Sequence, residues 1–182
     1  MPELANRAVL VTGVGSGIGA AIGRSIAASG DSVAVNDLDG ERAAATCSQI
    51  ADDGGTAHEV VGDVADEAGA ADVVGRADEA LGGLSDLVNN VGLVRGGPLA
   101  ELPLDSWETT LRVDLTSMFL VSRAARSLLA ERAGAIVNLA SLVATAPAPG
   151  SGAYSAAKAG VVALTQQMAL EWGPLCIGFN PC

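Results

Sequence analysis

The chain has 182 residues, 49% of them hydrophobic and 17% charged, with a formal net charge of −11 at pH 7. One domain of that length holds a sizeable core and is not a disordered chain, and the acidic balance without any cluster of arginines excludes the basic stripe of a nucleic-acid-binding surface. Cys47, Cys176 and Cys182 show no C-x-x-C spacing and His58 is the only histidine, so neither a disulfide framework nor a metal site is expected.

In chain order, short β-branched runs alternate with longer Ala-rich stretches, the pattern of a parallel sheet covered by helices on both faces. Strands are predicted over residues 8–12 (AVLVT), 32–37 (SVAVND), 56–62, 84–89 and 135–139 (AIVNL). Helices are predicted over 17–29, 40–51, 66–81, one long helix over 104–131, and 152–172. No linker or repeat interrupts this, so residues 1–182 read as a single domain. The start, MPELANRAVL, lacks a signal-peptide profile, and no stretch reaches the roughly 18 apolar residues of a spanning helix, so a cytoplasmic protein without membrane contact is expected.

The first strand runs into Thr12-Gly13-Val14-Gly15-Ser16-Gly17-Ile18-Gly19. Glycines there let the backbone turn sharply and let a phosphate approach the amides that open the next helix, whose positive dipole end favours an anion. The strict G-x-G-x-x-G spelling is not met, because Ala20 stands in the third glycine's place, and a plain tight turn fits the same letters. The context favours a dinucleotide: a strand before, a helix after, and Asp37 closing the second strand about twenty positions on, where a carboxylate accepts from a ribose diol and repels a 2′-phosphate. This points to NAD over NADP. Asp39 competes for the same role; Ser16 in the turn is neutral and no arginine or lysine flanks Asp37 closely enough to pair a 2′-phosphate, although Arg42 could move in.

The only tyrosine and the only lysine lie four residues apart, as Tyr154 and Lys158, with Ser141 thirteen positions before the tyrosine. Four residues make one helical turn, so both tips can serve one site. A phenol titrates near pH 10, and proton transfer at neutral pH needs a neighbour that favours the phenolate, which an ammonium supplies. A Tyr–Lys pair on an exposed helix face is the ordinary alternative. Ser155-Ala156-Ala157-Lys158 also spells the S-x-x-K of serine acyl-enzymes, but no S-D-N or K-T-G element accompanies it. His58 falls in the third-strand region, which disfavours a Ser-His-Asp hydrolase.

Taken together, TGVGSGIG, Asp63-Val64, Asn89-Asn90-Val91-Gly92, Ser141 and Tyr154-x-x-x-Lys158 resemble the short-chain dehydrogenase/reductases in order and spacing. The resemblance spans nearly the whole chain and implies a Rossmann-like, doubly wound α/β sheet that binds a nicotinamide dinucleotide and oxidises a secondary alcohol or reduces a ketone. It implies that Gly13, Gly17, Ile18 and Gly19, with Ser16 inside the turn, line the pyrophosphate. By the same resemblance Asp63 and Val64 face the adenine, and Asn90 and Gly92 lie toward the ribose and nicotinamide. Tyr154 would exchange a proton with the substrate oxygen, Ser141 would hydrogen-bond it, and Lys158 would support the phenolate and grip the nicotinamide ribose.

Two departures accompany the resemblance. Asp114 stands where the family usually has an asparagine that holds a relay water, and it is carried as an altered fourth member of the catalytic group. The residues ending Gly178-Phe179-Asn180-Pro181-Cys182 fall where relatives begin a sixth strand and continue, so a fold shortened near that strand, without the substrate loop, is expected. The alternative reading is a non-catalytic member that binds a dinucleotide or another subunit. A homo-oligomer, dimer or tetramer, is expected by analogy, with 104–131 and 152–172 pairing across a two-fold axis.

Overall fold

The computed structural model describes residues 6–182. The signal-free reading of the first five residues lies outside the described residues. Six strands, β1 (Ala8–Thr12), β2 (Ser32–Asp37), β3 (Thr56–Val61), β4 (Asp86–Asn89), β5 (Ala135–Asn138) and β6 (Gly178–Pro181), form one sheet in the order β3-β2-β1-β4-β5-β6. Every pairing is parallel. This is the expected doubly wound sheet, and the segment at residues 178–181 pairs with β5 as its sixth strand.

Successive side chains of a strand point to opposite faces. Leu10, Ala34, Leu87 and Ile136 therefore enter one core with residues of α3 (Glu67–Leu81) and α5 (Ser117–Glu131). Val9, Val11, Val33, Val35 and Val88 enter the other with α1 (Gly17–Ala28) and α2 (Gly40–Asp52). Burial on both faces is why β1 reads as an unbroken apolar run instead of alternating. Acids stop the loops and start the helices: Asp39 accepts from the Glu41 and Arg42 amides to open α2, and Asp66 accepts from Gly69 to open α3.

The single helix expected over 104–131 is divided. α4 (Leu104–Leu111) passes through a π-turn at Arg112–Thr116 before α5 begins, with the Ser117 amide bonding the Arg112 carbonyl five residues back. Periodicity gave no sign of this, because helical φ/ψ continues through the turn and only the hydrogen-bond partner changes. The last helix, α6 (Gly152–Trp172), has the predicted bounds.

A buried chain of polar side chains fixes α6 to the sheet. Asn89 Nδ2 donates to Ser122 Oγ at 2.9 Å and to Asn138 Oδ1 at 2.7 Å. Asn138 Nδ2 then donates to Thr165 Oγ1 at 2.9 Å, joining β4, α5, β5 and α6. Truncating the middle member leaves an Asn89 N–H without its acceptor in a buried site. Asn138→Ala is expected to lower stability by about 2–3 kcal/mol in urea unfolding; a loss below about 0.5 kcal/mol would mean that the network contributes little.

Candidate active site

Where the strand order reverses, the carboxyl ends of β1 and β4 diverge and leave a crevice. A cavity of about 780 Å³ fills it, bordered by the glycine turn, the ends of β2 and β3, the segment Asn90–Arg95, the π-turn, and Tyr154 and Lys158 of α6. Gly13 adopts φ +69° to make the turn, and a Cβ on Gly19 would overlap the Gly13 carbonyl oxygen, so the first turn of α1 can tuck beneath it only as glycine. Ser16 precedes α1 without giving it a side-chain cap, so the helix-opening amides face the cavity without a side-chain acceptor. That arrangement fits an anionic group such as a pyrophosphate.

Asp37 lines the cavity, and its carboxylate is held at both oxygens, by the Gly15 amide at 2.8 Å and the Asp39 amide at 3.0 Å. Asp39 is engaged elsewhere, capping α2. Asp63 accepts from the Ala65 amide at 2.8 Å and lies 3.7 Å from the Arg112 guanidinium, beside the buried Val64. Asn90 does not offer its amide to the cavity: Nδ2 donates to the carbonyls of Thr12 at 3.0 Å and Gly13 at 2.9 Å. Its role is to tie β4 to the glycine turn. Sequence reading missed three residues here. Thr12 Oγ1 accepts the Asn90 and Val91 amides, Asn36 bridges β2 to the Val60 carbonyl, and Arg112 faces Asp63. A threonine closing a buried apolar strand is the only one of these with a local signal.

Lys158 is almost wholly buried, 3% exposed, and its Nζ donates to the Leu139 carbonyl at 2.7 Å while standing 5.6 Å from the Tyr154 ring centre. Asp114, on the π-turn, is fully buried; Oδ1 accepts the Leu93 amide at 2.8 Å and Oδ2 has no partner. A Cβ on Gly92 would stand 2.6 Å from Asp114 Oδ1 and 3.7 Å from Lys158 Nζ, so the absence of a side chain there is what lets these groups share one place. Burial pushes the Asp114 carboxyl up to about 6 against the opposing pull of the Leu93 amide and Lys158. Burial likewise lowers the Lys158 ammonium, and Asp114 counters it. Ser141 caps a short 3-10 turn, Oγ accepting from the Val143 amide at 3.4 Å, and its neighbours Leu139 and Ala140, not Ser141 itself, border the cavity. Tyr154, Lys158 and Asp114 are thus brought together, with Ser141 at the rim.

The family model described as short chain dehydrogenase matches residues 7–181. The chain is 39% identical over 172 residues to D-threitol dehydrogenase of Mycolicibacterium smegmatis, covering 94% of this chain and 66% of that protein. It is 40% identical over 158 residues to the inactive 2-(S)-hydroxypropyl-CoM dehydrogenase 2 of Xanthobacter autotrophicus, covering 86% of this chain and 67% of that protein. A solved short chain dehydrogenase from Mycobacterium smegmatis superimposes with a TM-score of 0.94 at 34% identity, over 98% of this chain and 76% of that one. The chain belongs to the short-chain dehydrogenase family. It spans about two thirds of the length of the curated relatives it matches.

A carboxyl whose folded value exceeds its ordinary value of about 3.9 holds its proton more tightly when folded, so its burden on stability is absent below about pH 4 and complete above about pH 6. Asp114→Asn is therefore expected to raise stability by about 1–2 kcal/mol at pH 7–8 and by little at pH 4. Urea melts across that range measure it, and an equal shift at both ends would exclude a titrating Asp114.

Proposed function

We propose that this chain transfers hydride between an NAD cofactor and a secondary alcohol or ketone, with Tyr154 as general acid and base. The observation that carries the reading is the shared wall: Tyr154 and the buried Lys158 border the same cavity as the glycine turn. When bound, a nicotinamide dinucleotide supplies the hydride acceptor or donor. Gly13, Ser16, Gly17, Ile18 and Gly19 would hold its pyrophosphate, Asp37 its adenosine ribose, Asp63 and Val64 its adenine, and Gly92 with Lys158 the nicotinamide side. Asn90 serves it indirectly, by fixing the turn.

In oxidation Tyr154 Oη takes the hydroxyl proton of the alcohol, and in reduction it returns a proton to the developing alkoxide. Lys158 stabilises the negative charge on the phenol oxygen, and its bond to Leu139 keeps it aimed. Ser141 Oγ already accepts from Val143, which leaves its hydroxyl hydrogen to donate to the substrate oxygen. Asp114 acts through Lys158, holding its charge. Selection of NAD over NADP follows from the carboxylate of Asp37, which would meet a 2′-phosphate with like charge.

A homo-oligomer is part of the same reading, supported by Phe119, which is 38% exposed on α5 beneath Arg123 at 5.0 Å. Among the described residues no helix is long and apolar enough to cross a membrane. A monomeric mass by light scattering at high concentration would count against the oligomer.

Tyr154→Phe is expected to retain NADH binding and lose about 10²–10⁴-fold in alcohol-dependent NADH production. Undiminished turnover in that variant would refute the acid–base role. Ser141 standing off the cavity favours one second reading, a dinucleotide-binding or subunit-interaction member without catalysis, which would show NADH binding and no turnover of any alcohol.

A further inference from the structure

We infer that Asp39 is a second residue determining cofactor choice: it caps α2 and pairs with Arg42, and so withholds from a 2′-phosphate a guanidinium that borders the cavity. The inference deepens the assignment of Asp37 to an unphosphorylated ribose and rests on it.

Only two residues separate the end of β2 from the start of α2, so Asp37, Asp39 and Arg42 share one tight corner. A Cβ on Gly15 would stand 2.6 Å from Asp37 Oδ2 and 2.8 Å from Arg42 Cβ. The glycine turn, the ribose-facing carboxylate and the root of the arginine thus meet at one point. From that root Arg42 borders the cavity, yet its ion pair is with Asp39, Nε to Oδ2 at 3.2 Å. The other oxygen of Asp39 accepts the Glu41 and Arg42 amides, which fixes the carboxylate in place. Arginine is the side chain best shaped for bidentate phosphate recognition, so the position of this one matters.

Both partners are largely exposed, 64% for Arg42 and 47% for Asp39, and an exposed pair of this kind is weak. Asp39 therefore acts in two ways that add: it competes for the guanidinium, and it sets a second negative charge beside Asp37 where the phosphate would sit. Both effects act most strongly on a phosphate at the ribose 2′ position, so binding of NADH changes less than binding of NADPH.

Asparagine caps a helix as well as aspartate, so Asp39→Asn removes the charge and the ion pair while keeping the start of α2. The purified chain and its variants are titrated with NADH and NADPH by cofactor fluorescence, and thermal melts confirm folding. In Asp39→Asn the ratio of the NADPH Kd to the NADH Kd is expected to fall about tenfold, and adding Arg42→Gln is expected to reverse the part of that fall that the freed guanidinium supplies. An unchanged ratio in Asp39→Asn, or a fall of undiminished size when Arg42→Gln is added, overturns the inference. A parent chain that binds NADPH as tightly as NADH would instead overturn the assignment of Asp37, while the change on Asp39→Asn would still be read against its own parent. Failure of the folded parent to bind either dinucleotide overturns both.

Discussion

A single amide side chain closes the seam where the sheet reverses direction. Strands β1 and β4 are neighbours whose following segments part company, and Asn90 bridges the gap with bonds to the carbonyls of Thr12 and Gly13, while Thr12 Oγ1 receives the amides of Asn90 and Val91. Fixing those carbonyls fixes the glycine turn and the start of α1 beneath it. Fixing the amides sends the chain past Gly92 to Leu93, whose own amide reaches Asp114. The two halves of the site are built out from this one clasp in opposite directions.

The far wall of the site is stiff for a different reason. Asn89, Ser122, Asn138 and Thr165 are buried and bonded to one another, which ties α6 to the sheet, and the Lys158 bond to Leu139 holds the top of that helix against the end of β5. At the mouth the opposite holds. Ile18, Leu38 and Val94, which border the cavity, are 67%, 71% and 67% exposed, apolar groups that nothing among the described residues covers. Tyr154 and Lys158, proposed for proton transfer, thus sit on a packed helix, while Leu38 and Val94 lie on loops.

How much of this was legible in the sequence depends on the range of the interaction. Strands buried on both faces announce themselves as runs such as AVLVT, and the bounds read for α6 from its Ala-rich stretch match the helix. The residue types of the site were visible because a lone tyrosine and a lone lysine at helical spacing stand out in this composition. What was hidden joins distant positions: the Asn90 bond to Gly13 spans 77 residues and the Asn89 bond to Asn138 spans 49. Asparagines at a strand end carry no local mark that separates a ligand contact from a structural tie. The choice between Asp37 and Asp39 was open for the same reason, since two acids two positions apart differ only in what they face.

The π-turn at Arg112–Thr116 has a consequence for helical phase. One additional residue in the ladder rotates everything downstream by about 100° around the helix axis. Without that rotation one straight helix could not turn Asp114 toward Leu93 and Lys158 while also turning Leu120, Val121, Ala125 and Leu129 onto the sheet. The irregularity is therefore anchored by the fifteen residues of α5 and not by the carboxylate it presents. Losing one residue to heal the ladder would swing a whole apolar stripe away from the core, so the turn is tied to the packing of α5 whichever side chain stands at position 114.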